Sequence, residues 1–299
     1  MTDAEERIRT DLAGQIEEPV HAVRAIPEGH SGFTYWVELD GHRGVLRLPP
    51  PGARIAGPAD IPRQARIMAA LHAQGLPVPA IAATSPDPVV DGRPFVLMEA
   101  VDGDRVETAL DTGSNPLQLA ASAVDVLRRL QAVPIENTGI GGEDPMPLAG
   151  ELARWTWLMD RAPAELTGQA PRLAQLLAEQ QPRPGPPVLV HGDYHLSNML
   201  FKGGRVVAVV DWEIAQLGQP LLDLCCISLS HVSADPVGEM YGVDPDDYRW
   251  YRALTYYKYA AIFGYNLMLH RRGKRPDPSY EQRTDVILGF IDQGIGVLG

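Results

Sequence analysis

The sequence is poor in cysteine, in positive charge and in long apolar runs, and each scarcity closes off a class of protein. Its 299 residues include 2 cysteines, Cys225 and Cys226, adjacent in the chain. An adjacent pair makes a poor structural disulfide and two thiols make no zinc site, so both are expected as buried core residues in a reducing compartment. Lysine and arginine number 26 against 38 aspartates and glutamates, for a net charge of -12. A nucleic-acid binder needs a basic face to neutralise phosphates, so nucleic acid is not an expected partner. The acidity is compatible with a cationic ligand, although net charge is a weak guide to what one cleft prefers. The longest apolar runs, such as Val206 to Val210, are far too short to cross a bilayer. Met1 to Glu18 is acidic and amphipathic, with Ile8, Leu12 and Ile16 at helical spacing, and lacks the basic start and apolar core of a signal peptide. A soluble protein with no membrane partner and a cytoplasmic location is expected. At 45% hydrophobic and 21% charged, the chain can bury one or two cores.

What is present divides in two. Residues 1–100 read as a small sheet with one helix: a strand over Val20 to Pro27, then a hairpin of Thr34 to Leu39 and Arg43 to Leu48 around Asp40-Gly41, two residues that tolerate positive φ. A helix over Pro62 to Gln74 follows, with Asp60 near its start and Gly75 at its end, and then strands Ala80 to Thr84 and Pro94 to Glu99. Residues 101–299 read as helices, over Pro116 to Ala132, Glu151 to Met159, Pro171 to Gln180, Pro220 to Ser230, Asp246 to Arg271 and Tyr280 to Gly296. One hairpin interrupts them, Met199 to Phe201 and Arg205 to Val210 around Lys202-Gly203-Gly204. The expectation is an α+β chain of two lobes, a β-rich first lobe and a larger helical second lobe, joined near Met98 to Gly103.

The chemistry is concentrated in His191-Gly192-Asp193-Tyr194-His195-Leu196-Ser197-Asn198, followed across the hairpin by Asp211-Trp212-Glu213. Singly, each has an ordinary explanation: His-Gly-Asp is a common turn, asparagine a common cap. The ordered set is less ordinary. Transfer of a phosphoryl group to an alcohol needs a carboxylate to accept the hydroxyl proton, oxygen ligands for Mg²⁺ and positive charge on the phosphoryl oxygens. The spacing H-x-D-x-x-x-x-N matches a kinase catalytic loop, with Asp193 as base, Asn198 as metal ligand and Asp211 as the main metal aspartate.

HGDYHLSNMLF and VVAVVDWEIAQLGQPLLDL resemble the aminoglycoside phosphotransferase family, also called the phosphotransferase enzyme family, within the protein-kinase-like fold. The DWE…LGQP…DL form is most similar to the kinase-like domains attached to some acyl-CoA dehydrogenases. The resemblance implies ATP between the lobes, Asp193 as catalytic base, and Asn198 and Asp211 on Mg²⁺. Glu213 stands at a position acidic in many relatives, where it assists the metal or shapes the loop. Asp223 is implied as structural support, His191 as an orienting residue, and His195 as a histidine of the loop surface or one facing substrate.

The first lobe agrees. Glu28 to Thr34 resembles the loop over the phosphates, with Ser31 and Gly32 at the nucleotide. Phe95 to Gly103 resembles the hinge: the Glu99 carbonyl and Val101 N–H would pair with the base, and Met98 would pack near it. Because those contacts are made by backbone, ATP and GTP both remain candidates. Two positions depart from the usual pattern. Arg47 stands where a lysine usually meets the phosphates, and Gln64 where a glutamate usually pairs with that lysine.

The acceptor is expected to be a small-molecule hydroxyl, aminoglycoside-like or a metabolite alcohol such as a hydroxyacyl-CoA, bound between Glu151 to Arg161 and Ser230 to Tyr251. In the second stretch Asp235, Glu239, Asp244, Asp246 and Asp247 near Trp250 and Tyr251 suit an amine-bearing ligand, or else form a solvated acidic loop capping the next helix. Arg47 and Gln64 keep open a second function, a nucleotide-binding pseudokinase acting as an interaction module. A protein kinase is disfavoured by Asp211-Trp212-Glu213 in place of DFG. The sequence leaves oligomeric state undetermined.

Overall fold

Helix α1 (Asp3–Ala13) begins in a reciprocal cap: the Glu5 N–H donates to Thr2 Oγ1 at 3.3 Å, and the Thr2 N–H to Glu5 Oε2 at 2.6 Å. The computed structural model describes residues 2–26 and 33–299. Strands β1 (Ala22–Ala25), β2 (Thr34–Glu38), β3 (Arg43–Arg47), β4 (Ile81–Val90) and β5 (Arg93–Glu99) form one antiparallel sheet in the order β1-β2-β3-β5-β4. Alternation along the strands assigns the faces. Tyr35, Val37 and Leu46 are buried in one cluster with Ile8 and Leu12 of α1, Val23 and Leu97. Tyr35 lies opposite Leu46 in the ladder, and Arg47 opposite Thr34 and Val96. With Leu46 committed to the α1 side, Arg47 is presented on the other face.

Helix α2 (Ile61–Ala73) starts at Asp60, whose carboxylate accepts the Arg63 N–H at 3.0 Å, and packs against β4 and β5. Helices α3 (Val106–Asp111) and α4 (Pro116–Gln131) follow, α4 burying Leu119, Ala123, Leu127 and Leu130 at helical spacing. The hairpin of Met199–Lys202 and Arg205–Val209 belongs with these elements, in a compact unit of Met1–Glu143 and His191–Gln216. Asp104 and Phe201 exchange both backbone hydrogen bonds, at 2.7 and 2.8 Å, and the Val206 N–H donates to Ser122 Oγ of α4 at 2.9 Å.

The second unit, Asp144–Val190 and Leu217–Gly299, is built from α5 (Leu148–Met159), α6 (Ala170–Glu179), α7 (Leu221–Ile227), α8 (Ala234–Tyr241), α9 (Pro245–Arg271) and α10 (Thr284–Leu298). Helix α9 packs against α5 and α10. Cys225 and Cys226 are both buried on α7, and burial pushes the Cys225 thiol well above its ordinary pKa. Among the described residues no helix is long and apolar enough to cross a membrane.

Three expectations need adjustment. The stretch expected as an acidic loop contains α8, which ends at Gly242 in a left-handed conformation (φ 74°). Helix α3 was not evident from periodicity because six residues hold less than two turns. Only Gly41 of the Asp40-Gly41 turn has positive φ, whereas both residues of Asp91-Gly92, between β4 and β5, do.

Candidate active site

Residues 191–198 and 211–213 converge because the hairpin brings the chain back on itself. The Val210 N–H donates to the Asn198 carbonyl at 2.9 Å, fixing the residue before Asp211 to the end of the loop. The Val210 carbonyl meets His191 Nε2 at 2.9 Å. His191 has no exposed surface, and its Nδ1 accepts the Asp193 N–H at 3.1 Å. A backbone N–H can only donate, so Nδ1 must be unprotonated and Nε2 must carry the ring's proton. Burial lowers the His191 pKa to about 4, against opposing pulls from Asp193 and Val210, which keeps the ring neutral. The ring meets Trp212 edge-on at 4.5 Å between centroids; Trp212 is itself fully buried and donates Nε1–H to the Val209 carbonyl at 3.0 Å. One histidine thus ties both halves of the site together, the orienting role expected for it.

Gly192 makes the turn possible. Its φ is +84°, and a Cβ there would stand 2.7 Å from the Ile214 carbonyl oxygen. Tyr194, fully buried, donates its hydroxyl to the Ala123 carbonyl at 3.0 Å, pinning the loop on α4. Asn198 Nδ2 lies 2.9 Å from both the main-chain carbonyl and the Oδ2 of Asp193. His195, expected on the loop surface or facing substrate, stands with Nε2 3.3 Å from the same Oδ2. Its own spacing gave no signal of this.

Asp211 is held with φ +68°, a left-handed conformation that a non-glycine residue adopts only at a cost. Its Oδ1 accepts from Arg47 Nη1 at 2.8 Å, and Glu213 Oε2 accepts from Arg47 Nη2 at 2.7 Å. Burial pulls the guanidinium toward its neutral form, but the two carboxylates outweigh burial and hold its pKa above the ordinary value. Gln64 takes no part in this: it is buried and donates Nε2–H to the Pro58 carbonyl at 2.9 Å.

Of the remaining expected residues, Met98 is buried at the end of β5, where the Glu99 N–H donates to the Ala80 carbonyl at 2.9 Å and the Ala100 N–H to the Arg43 carbonyl at 3.1 Å. Glu99 and Val101 flank that last ladder contact. Ser31 and Gly32 lie outside the described residues. In the second unit, Asp244 caps α9 by accepting the Asp246 N–H at 2.8 Å, whereas Asp235, inside α8, pairs with Arg252 at 3.1 Å. Trp155 is buried and donates Nε1–H to Glu151 at 2.9 Å, whereas Trp157 is 52% exposed under the Arg161 guanidinium. Asp223 is fully buried on α7.

The donor set fits a magnesium ion arriving with a phosphate ligand. Asn198 commits its amide nitrogen to Asp193, which turns its Oδ1 away as an acceptor, and Asp211 supplies a carboxylate. Two oxygen side chains leave most positions of an octahedral ion to phosphate and water, as Mg²⁺ prefers. Among the described residues no group of three or more His, Cys, Asp or Glu forms an all-protein metal cage.

The sequence model of the phosphotransferase enzyme family matches residues 22–254, and the chain belongs to that family. Mouse acyl-CoA dehydrogenase family member 10 is 28% identical over 294 residues, aligning 87% of this chain with 28% of the relative. The chain thus spans little more than a quarter of that relative's length. A candidate aminoglycoside phosphotransferase from Ralstonia eutropha superposes with a TM-score of 0.76 at 22% identity, covering 98% of this chain and 97% of that one. The GDP and kanamycin complex of APH(2")-IIIa gives 0.70 at 17% identity, covering 96% and 97%. These likenesses establish the α+β protein-kinase-like fold, a small antiparallel sheet followed by a helical part.

Proposed function

We propose that this chain is a small-molecule kinase that transfers the γ-phosphoryl group of ATP or GTP to a hydroxyl. The observation that carries this reading is the Asp193 carboxylate, held by Asn198, whose own carbonyl accepts the N–H of Val210, the residue before the strained Asp211. Asp193 accepts the proton of the attacking hydroxyl as its oxygen bonds to the γ-phosphorus; the bond to the β,γ-bridging oxygen breaks, leaving a phosphomonoester and the nucleoside diphosphate. Asn198 and Asp211 would hold Mg²⁺, which when bound neutralises charge on the phosphate oxygens. Arg47 contributes cationic contact to the phosphates; Ser31 and Gly32, outside the described residues, are proposed as phosphate contacts from the sequence resemblance alone. Met98 packs near the base, and the Glu99 carbonyl and Val101 N–H meet its edge. Support for a nucleotide comes from APH(2")-IIIa, whose complex contains GDP.

For the acceptor, an aminoglycoside-like amino-sugar and a metabolite alcohol such as a hydroxyacyl-CoA are the two candidates. The first follows from kanamycin in that complex, the second from the acyl-CoA dehydrogenase relatives. The cytoplasm is the proposed location. A pseudokinase is the second reading, favoured by the pairing of Arg47 with Asp211. Mass spectrometry of reactions with Mg-ATP or Mg-GTP across amino-sugars, macrolides and hydroxyacyl-CoAs separates the two. A product gaining one phosphoryl group supports the kinase; saturable nucleotide binding with every acceptor unmodified supports the pseudokinase; no nucleotide binding overturns both.

A further inference from the structure

The usual partner of the phosphate-facing cation is missing from α2, and a different carboxylate stands in its place. Gln64 is neutral and spends its amide on Pro58. Arg47, with a side chain 12% exposed, instead spans Asp211 at 2.8 Å and Glu213 at 2.7 Å. The two carboxylates are not equivalent. Asp211 is the one suited to Mg²⁺, and a divalent cation and a guanidinium sharing one carboxylate repel each other. Glu213 lies beyond Trp212, whose buried ring, bonded to Val209 and packed on His191, fixes where the chain leaves the site.

We propose that Glu213 is the positioning residue for Arg47: it keeps the guanidinium aimed at the nucleotide phosphates while Asp211 serves the metal, and it is not itself a metal ligand. This inference rests on the nucleotide-binding reading above. Arginine suits the arrangement better than lysine. Its planar fork gives one N–H to each carboxylate and keeps three of its five donors for phosphate oxygens, whereas a single ammonium has three donors on one point. The absence of a carboxylate at position 64 and the presence of arginine at position 47 are then one adaptation, not two separate losses.

The test is a double-mutant cycle on Mg-ADP affinity, measured by titration calorimetry on wild type, Arg47→Met, Glu213→Gln and the double variant. Mn²⁺ affinity of wild type and Glu213→Gln is measured by electron paramagnetic resonance. Glu213→Gln is expected to weaken Mg-ADP about tenfold in the wild-type background and less than about twofold beside Arg47→Met, because the two residues act as one unit. Mn²⁺ affinity should stay within about twofold, and Glu213→Asp should recover part of the loss. Arg47→Gln replaces Arg47→Met in the cycle if the methionine variant does not fold. Additive losses in the cycle would show that Glu213 acts independently of Arg47, and a large fall in Mn²⁺ affinity would make it a metal ligand; either result overturns the inference alone. A wild-type protein that binds no Mg-ADP overturns both the inference and the reading beneath it.

Discussion

Asn198 donates its side-chain amide to the carboxylate of Asp193 at 2.9 Å and reaches the main-chain carbonyl of the same residue at the same distance. Five residues apart in sequence, the two are locked into one unit, so the proposed base cannot rotate without losing the proposed metal ligand. Asn198→Ala is therefore expected to affect both. Steady-state kinetics should show kcat lowered by about a hundredfold or more, with weaker Mn²⁺ binding by paramagnetic resonance. Wild-type kcat in this variant would mean that neither role belongs to Asn198.

His191 makes stability depend on pH. The folded protein binds a proton there only near pH 4, whereas the exposed side chain does so near 6.5. Between those values unfolding takes up a proton, so stability falls as pH falls, by up to about 3 kcal/mol across the window. Above pH 6.5 both states are neutral and the histidine adds no pH dependence. Urea melts at pH 7 and pH 4.5 should show the loss in wild type and a smaller one in His191→Gln, whose amide can both donate and accept.

Gly192→Ala places a methyl group against a backbone oxygen at a position of positive φ. Either the turn opens or the Ile214 segment moves, and both displace Asp193. A loss of about 1–3 kcal/mol in stability is expected, with a larger proportional loss of activity at a temperature where the variant is still folded. Thermal melts alongside single-turnover rates separate the two effects.

In the second unit, Trp155→Phe removes the indole N–H that Glu151 accepts inside the fold. Stability should fall by about 1–2 kcal/mol, read by thermal unfolding, with wild-type affinity for Mg-ADP retained.

The sequence made some of this legible and hid the rest for identifiable reasons. Strands β2 and β3, helix α2 and the Met199–Val209 hairpin followed from alternation, an Asp cap and paired glycines, which are all local signals. The candidate catalytic motif, too, was local enough to read. What was hidden was non-local. Nothing near Arg47 indicates that its partners stand 164 and 166 positions away, and a neutral Gln64 left open how Arg47 is held. Helix α8 was missed because its acidic residues read equally well as a solvated loop, and only its packing against α7 and α9 selects the helix.

The most direct test of the central claim compares wild type with Asp193→Asn in single-turnover reactions with Mg-ATP and the first acceptor that yields a phosphorylated product. The account predicts that Asp193→Asn binds Mg-ATP within about threefold of wild type yet forms product at least about a hundredfold more slowly. Product formed at the wild-type rate by Asp193→Asn would contradict it.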